Sequence, residues 1–136
     1  MYWITEKRKN MNVSVIGEET VFSELLATVP EIETIVRKKM AEEEIDEEDG
    51  MHIIFSFIIV PLLRDWCNTE KQTAAHIFDF FENMAHSDDT SLLEILDFSV
   101  LEPIADMDES DRKIIEKYMR TETMEQYQYI RDHMFR

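Results

Sequence analysis

Residues 51–66 are apolar on nearly every side when the segment is drawn as a helix. A helix with this pattern lies inside a fold, because each of its faces must be covered by another helix. Its β-branched content also permits a strand. We favour a helix because the apolar pattern continues amphipathically through Leu62, Leu63 and Trp66. Pro61 is then expected to kink this helix about one turn before its end.

The chain from Thr20 onwards places apolar residues at the spacing of amphipathic helices. It contains 2 glycines and 3 prolines, too few for a turn-rich β-sandwich. We therefore predict an all-α fold of six to seven helices in antiparallel hairpins, forming a helical bundle or a short HEAT-like stack. Residues 20–136 are predicted to form a single helical domain, which is long enough to bury a core without disulfides or metal. Residues 1–19 are predicted to be an N-terminal extension with a short strand at residues 13–16.

Several polar residues are candidate helix caps. Thr69 has the spacing of a capping box with Gln72, and Asp88 or Asp89 can cap the helix that follows. Ser110 is a candidate N-cap for a later helix. These residues therefore predict the starts of three helices in the second half of the chain.

Most phenylalanines recur at helical spacing and are predicted to lie in the core; these are Phe55, Phe57, Phe78, Phe81 and Phe98. Phe80 differs because it falls on the opposite side of its helix from Phe81. We expect Phe80 either to meet another helix or to belong to an exposed contact patch.

The formal net charge is −16 at pH 7, and the isoelectric point is about 4.5. Nucleic acids and anionic membranes attract basic patches, so neither is expected as a ligand. Cys67 is the single cysteine, which fits a reducing compartment. The most apolar run, residues 53–63, has eleven residues, whereas a helix needs about 20 to cross a bilayer. With no export signal in the sequence, we expect a cytoplasmic protein.

His76, Asp79, Glu82 and His86 are the nearest approach to a metal site, because their spacing can place them near one helical face. A di-iron bundle takes Glu-x-x-His units from more than one helix. The other predicted helices contain no such unit. We therefore predict no metal and no cofactor, and a small helical metal-binding enzyme is the least favoured interpretation.

The acidic run of residues 42–49 followed by Gly50 suggests a calcium loop, but the register fails. With Gly50 at the sixth loop position, Ile45 and Ser56 occupy the first and twelfth positions, where carboxylates are needed. Cys67 has acidic neighbours, which raise the pKa of a thiol. Because there are also too few glycines for a phosphate-binding loop, we predict that the protein is not an enzyme.

Residues 72–111, the acidic stretch, contain eleven Asp or Glu and no Lys or Arg. Such charge costs folding free energy through self-repulsion and is commonly kept where a basic partner covers it or where it provides solubility. We predict that this stretch supplies the contact face for a basic protein, while the oligomeric state stays open. The candidate contact residues are Phe80, Glu82, Asp88, Asp89, Glu94 and Asp97.

The segment 75–102 reads AHIFDFFENMAHSDDTSLLEILDFSVLE, an apolar helix, an acidic break at Asp88 and Asp89, and a second apolar helix. This segment resembles the paired-helix region of small acidic helical bacterial proteins, from uncharacterised families associated with polymorphic-toxin immunity. The resemblance implies a cytoplasmic protein that neutralises a toxin by binding it. We therefore expect an immunity or antitoxin-like inhibitor that occludes a basic partner. A regulatory or scaffolding helical module is the alternative.

Overall fold

The computed structural model describes residues 16–134, which contain seven helices and no strand. The helices are α1 (Val21–Thr28), α2 (Glu33–Glu42), α3 (Met51–Thr69), α4 (Lys71–Ala85), α5 (90–105), α6 (Glu109–Glu116) and α7 (Thr121–Met134). Short 3₁₀ turns at Pro30–Ile32 and Glu47–Asp49 precede α2 and α3. The all-α prediction is confirmed. The strand predicted at residues 13–16 lies outside the described residues except for Ile16, which has no regular structure.

Two of the central helices contain a π-helical segment followed by a proline. The segment is Phe55–Ile59 in α3 and Ile95–Leu101 in α5. Pro61 and Pro103 each stand second in the α-helical piece that follows. Proline lacks an N–H, and its ring clashes with the carbonyl four residues earlier, so a wider π turn lets each helix continue across its proline. The helix expected to kink at Pro61 therefore widens ahead of the proline and runs on to Thr69.

Helix α3 lies at the centre of the fold, in agreement with its all-round apolar pattern. Helix α2 packs on its π segment, α4 packs along its C-terminal half, and α5 and α6 pack against its first and last parts. The α3 side chains buried among these neighbours are Ile54, Phe55, Ile58, Ile59, Val60, Leu63, Trp66 and Cys67. They belong to one hydrophobic core that draws residues from every helix between α1 and α7.

Helix α3 is also long and apolar enough to cross a membrane by length and composition. It has 19 residues and a hydropathy of 1.2, so it exceeds the eleven-residue run noted in the sequence. The core helix of a soluble protein has the same properties, and one such helix is weak evidence for a span. The neighbours that pack on α3 give its apolar residues a role within the fold.

Two helix caps differ from the sequence prediction. Thr69 does not start a capping box, because it is the last residue of α3 and its hydroxyl donates to the Asp65 carbonyl at 3.0 Å. Only Glu70 separates α3 from α4, which leaves Thr69 inside the earlier helix. Asp108 caps α6 in place of Ser110. Asp108 has the extended backbone that an N-cap requires, whereas Ser110 already lies within the helix.

The acidic run before α3 forms local caps. An oxygen of Asp46 accepts from the Glu48 N–H at 2.9 Å, and Asp49 accepts from the Asp46 N–H at 2.8 Å. Gly50 then has a φ of 98° and a ψ of 160°, a conformation that side chains other than glycine rarely adopt. This turn sets the point at which the chain enters α3.

Candidate functional site

The acidic stretch runs along α4, the following loop, α5 and the start of α6. Its exposed carboxylates are Asp79, Asp88, Glu94, Asp106, Asp108 and Glu109. Asp79 pairs with Arg120 at 2.8 Å, and Glu109 pairs with Lys113 at 3.5 Å. Asp88, Glu94 and Asp106 have no ion pair with any Lys or Arg in residues 16–134. These three carboxylates are therefore free to attract an external cation.

The two aspartates of the acidic turn have different roles. Asp89 caps α5, as predicted, by accepting from the N–H groups of Ser91 and Leu92 at 2.9 and 3.3 Å. Asp88 is exposed and makes no such bond. Of the two, Asp88 is the residue whose charge can be changed without disturbing a helix start.

Glu94 and Asp97 both lie on α5 but in different surroundings. Glu94 is exposed, whereas Asp97 is half-buried and burial raises the pKa of its carboxyl group. One oxygen of Asp97 is buried without a hydrogen-bond partner among the described residues. Asp97 is thus a weaker candidate for charge attraction than Glu94.

Glu82 was predicted as a contact residue, but the structure buries it. Its carboxylate accepts from the Glu122 N–H at 3.0 Å, the Thr123 N–H at 3.1 Å and the Thr123 hydroxyl at 2.9 Å. Burial alone raises the pKa of this carboxyl, but these hydrogen bonds outweigh it, and the pKa of Glu82 is lowered from its ordinary value of 4.5. Glu82 therefore satisfies the first N–H groups of α7 from a neighbouring helix, which is a structural role.

The core predictions for the phenylalanines are confirmed for Phe55, Phe78 and Phe81, which are buried, and wrong for Phe57 and Phe98. Phe80 is 1% exposed, so it meets other helices and does not belong to a contact patch. Phe57 and Phe98 were predicted to lie in the core, but their exposed fractions are 58% and 53%. Both lie inside the π segments, where the helical spacing departs from 3.6 residues per turn.

The four residues considered for a metal site do not converge on one point. His76 lies 3.7 Å from Glu31, Asp79 pairs with Arg120, and Glu82 binds the start of α7. His86 is exposed and contacts Glu82 at 3.2 Å. In the described part of the chain, no group of three or more His, Cys, Asp or Glu residues is placed to hold a metal ion.

Cys67 is buried in α3 and is the free thiol of the described residues. Burial raises the pKa of this thiol to about 12. Because the thiolate is the nucleophilic form, Cys67 stays neutral and unreactive near pH 7.

A hydrogen bond and a surface depression join α3 to α5. His52 Nδ1 lies 2.6 Å from Ser99 Oγ. One turn further along, Ser56 and Phe57 of α3 and Glu102, Pro103 and Asp106 at the end of α5 line a common depression. The two helices consequently run in the same direction along this seam, as the first and third helices of an up-down-up arrangement do.

A family model described as Domain of unknown function (DUF7674) matches residues 22–134. The chain belongs to the DUF7674 family. Comparison of the chain with curated proteins gave no match, and comparison with solved structures gave none either. The match covers all seven helices of the described chain apart from the first residue of α1.

In this DUF7674 domain, the structure leaves some of the predicted contact residues exposed and buries others. Asp88 and Glu94 are exposed, Asp89 and Asp97 are partly covered, and Phe80 and Glu82 are buried. Sequence reasoning missed Phe57 and Phe98 as exposed residues. The sequence signal that points to them is a proline following each phenylalanine by four or five residues, at Pro61 and Pro103.

Proposed function

We propose that this DUF7674 domain is a non-catalytic protein that binds a basic partner and blocks it by occlusion, in the manner of an immunity or antitoxin-like inhibitor. The observation that carries the proposal is the set of exposed carboxylates without internal ion pairs, Asp88, Glu94 and Asp106. Unpaired like charges on one surface oppose the folded state, and a basic partner would offset that repulsion. In this proposal the protein acts in the cytoplasm.

The ion pairs elsewhere in the fold support this interpretation. Arg37 pairs with Glu33 and Glu47, and Arg112 lies 3.9 Å from Glu116. Arg120 reaches across from the start of α7 to Asp79. Arg37, Arg112 and Arg120 thus pair with carboxylates other than the contact candidates, so Asp88 and Glu94 keep their charge for an external partner. Charge complementarity of this kind speeds association and selects the partner more than it sets the final affinity.

The partner class can be tested by capture followed by an inhibition assay. Immobilised protein is exposed to an extract of the native cells, and the bound proteins are identified at low and high salt. We expect a basic protein that added salt releases, because exposed charges are screened beyond about 10 Å at 0.1 M salt. We also expect an equimolar amount of the DUF7674 domain to abolish the toxic activity of that protein. Binding that leaves the partner fully active would contradict occlusion and favour a scaffolding role.

Charge reversal tests the role of the acidic stretch in that binding. The double variant Asp88→Lys, Glu94→Lys should associate with the captured protein about 10-fold more slowly at low salt, with the difference shrinking at high salt. Glu70→Lys, Glu125→Lys is the matched control, because it makes the same charge change at exposed carboxylates outside the stretch. Equal association rates for the two double variants would remove the acidic stretch from the contact face.

A further inference from the structure

Phe57 and Phe98 are two large apolar side chains exposed on adjoining helices. They are 58% and 53% exposed, although the helices that carry them belong to the core of the fold. The π segments that contain them pack against each other. A protein that exposes paired aromatic side chains at one place commonly uses them for binding.

The seam between α3 and α5 places both phenylalanines on the same side of the molecule. Ser56 and Ser99 lie at this seam, since Ser56 lines the depression and Ser99 bonds His52. Phe57 follows Ser56 by one residue, and Phe98 precedes Ser99 by one. Consider two right-handed helices that run in the same direction. The residue after a facing residue on one helix and the residue before a facing residue on the other point to the same side of the seam.

Carboxylates surround this pair of phenylalanines. Glu94 and Glu102 stand four residues before and after Phe98, a separation close to one turn of either an α or a π helix, so both lie on the side of α5 that carries Phe98. Glu102 and Asp106 line the same depression as Phe57. None of these three carboxylates has an ion pair with a Lys or Arg of residues 16–134. We call Phe57, Phe98, Glu94, Glu102 and Asp106 the Phe57–Phe98 face.

The charges of the face select among possible occupants. A second copy of the chain would bring Glu94, Glu102 and Asp106 towards the same residues of its partner, and like charges across an interface are costly. An anionic membrane surface is repelled for the same reason. A segment that carries apolar side chains beside Lys or Arg satisfies both components of the face. An amphipathic helix with a basic rim has this composition, and its apolar anchors are the side chains that such grooves accept.

We infer that the Phe57–Phe98 face is the docking surface for a basic amphipathic helix of a partner protein. This inference rests on the proposed function and names the residues through which it operates. The phenylalanines supply the central apolar contact, and the carboxylates form a rim that pairs with the cations of the helix. Such an arrangement of apolar centre and polar rim is typical of protein interfaces.

A synthetic peptide of Lys and Leu, patterned as an amphipathic helix of about four turns, is a suitable probe. Titrated into ¹⁵N-labelled full-length protein, it should shift amide resonances around residues 52–57 and 98–106. A Lys and Ser peptide of equal charge lacks the apolar contact and should bind at least about 10-fold more weakly. A Glu and Leu peptide should not bind at the face. Shifts centred on residues 42–49 or on Ile35 would overturn the inference.

Variants separate the two components of the face. Phe57→Ser, Phe98→Ser should weaken binding of the Lys and Leu peptide at least about 10-fold, because both apolar anchors are lost. Ile35→Ser is the matched control, since Ile35 is 46% exposed on α2, and its affinity should equal that of the wild type. Glu94→Gln, Glu102→Gln, Asp106→Gln should weaken binding and reduce its salt dependence. Should the phenylalanine variant fail to fold, this triple variant and the wild-type resonance map still decide the outcome.

The outcomes distinguish this inference from the proposed function. Unchanged peptide affinity in the phenylalanine variant, together with intact inhibition of the captured protein, removes the face and leaves the proposed function standing. Absence of any captured basic protein removes the proposed function, whatever the peptide does. Sedimentation velocity of the free protein tests the other possible occupant of the face, a second copy of the chain. A dimer that dissociates in Phe57→Ser, Phe98→Ser would overturn the inference in favour of self-association.

Discussion

At the scale of single residues, Glu82 is a buried carboxylate that accepts hydrogen bonds from a helix distant in sequence. It lies on α4, forty residues before the N–H groups of α7 that it binds. The first N–H groups of a helix have no partner within the helix, and here they face a buried carboxylate. An ionised acceptor makes stronger hydrogen bonds than a neutral one and also complements the positive end of the helix dipole. Glu82 thus fixes α7 against α4.

Removing this carboxylate should destabilise the fold. Glu82→Ala leaves buried N–H groups of α7 without an acceptor, and we expect the free energy of unfolding to fall by about 1–3 kcal/mol. Urea denaturation followed by circular dichroism measures the change. Glu125→Ala removes an exposed carboxylate from α7 and should alter stability by less than about 0.5 kcal/mol. An equal effect of the two substitutions would contradict the capping role.

The lowered pKa of Glu82 also predicts how stability depends on pH. A carboxyl with a lower pKa in the folded state contributes stability that is complete above its ordinary pKa of 4.5 and is lost as pH falls through the folded value. The wild type should therefore exceed Glu82→Gln in stability by a constant amount well above pH 4.5, and the gap should shrink as the pH falls below 4.5. Urea denaturation at several pH values checks this. A gap that grows on acidification would show that the folded state prefers the protonated acid.

At the scale of elements, the start of α3 depends on a backbone conformation. Gly50 has a φ of 98°, and a Cβ atom added to it would meet no other atom within 4 Å. Any destabilisation by a side chain at this position therefore arises from the backbone conformation and not from a clash. Gly50→Ala should lower the free energy of unfolding by about 1–2 kcal/mol. Gly17→Ala is the control, because Gly17 has no such φ and a Cβ there would lie at an ordinary 3.6 Å from Asp89. Thermal unfolding compares the two variants, and equal stabilities would contradict a strained turn.

The sequence predicts a helix and its buried face where the apolar residues keep a single helical period. The regular spacing of apolar residues predicted the all-α fold and the central position of α3. It could not predict the exposure of Phe57 or Phe98, because a π segment changes the number of residues per turn and rotates the side chains within it. Nor could it predict the burial of Glu82, whose hydrogen-bond donors lie on a helix forty residues away. The composition shows the excess of acidic residues. Only the fold shows which carboxylates form ion pairs, which cap helices and which remain unpaired.

At the scale of the whole molecule, negative charge is the dominant property. The formal charge is −16. Many ion pairs of the described residues join side chains one helical turn apart at the surface. Exposed pairs contribute little, at most about 1 kcal/mol each. The repulsion among the excess carboxylates acts over the whole surface and opposes the compact state. We therefore expect repulsion, and not the loss of ion pairs, to determine how stability responds to salt.

Raising NaCl from about 10 mM to about 0.3 M should raise the melting temperature by about 3 °C, because salt shortens the range of the repulsion to less than about 10 Å. Differential scanning calorimetry in a buffer of constant pH measures this change. Asp88→Lys provides the internal comparison, because Asp88 is exposed and caps no helix. This variant should melt higher than the wild type at low salt and gain less from added NaCl. A melting temperature that falls with salt would mean that the ion pairs outweigh the repulsion. The acidic stretch would then impose no folding cost for a basic partner to offset, and only the exposed Phe57 and Phe98 with their neighbouring carboxylates would still favour such a partner.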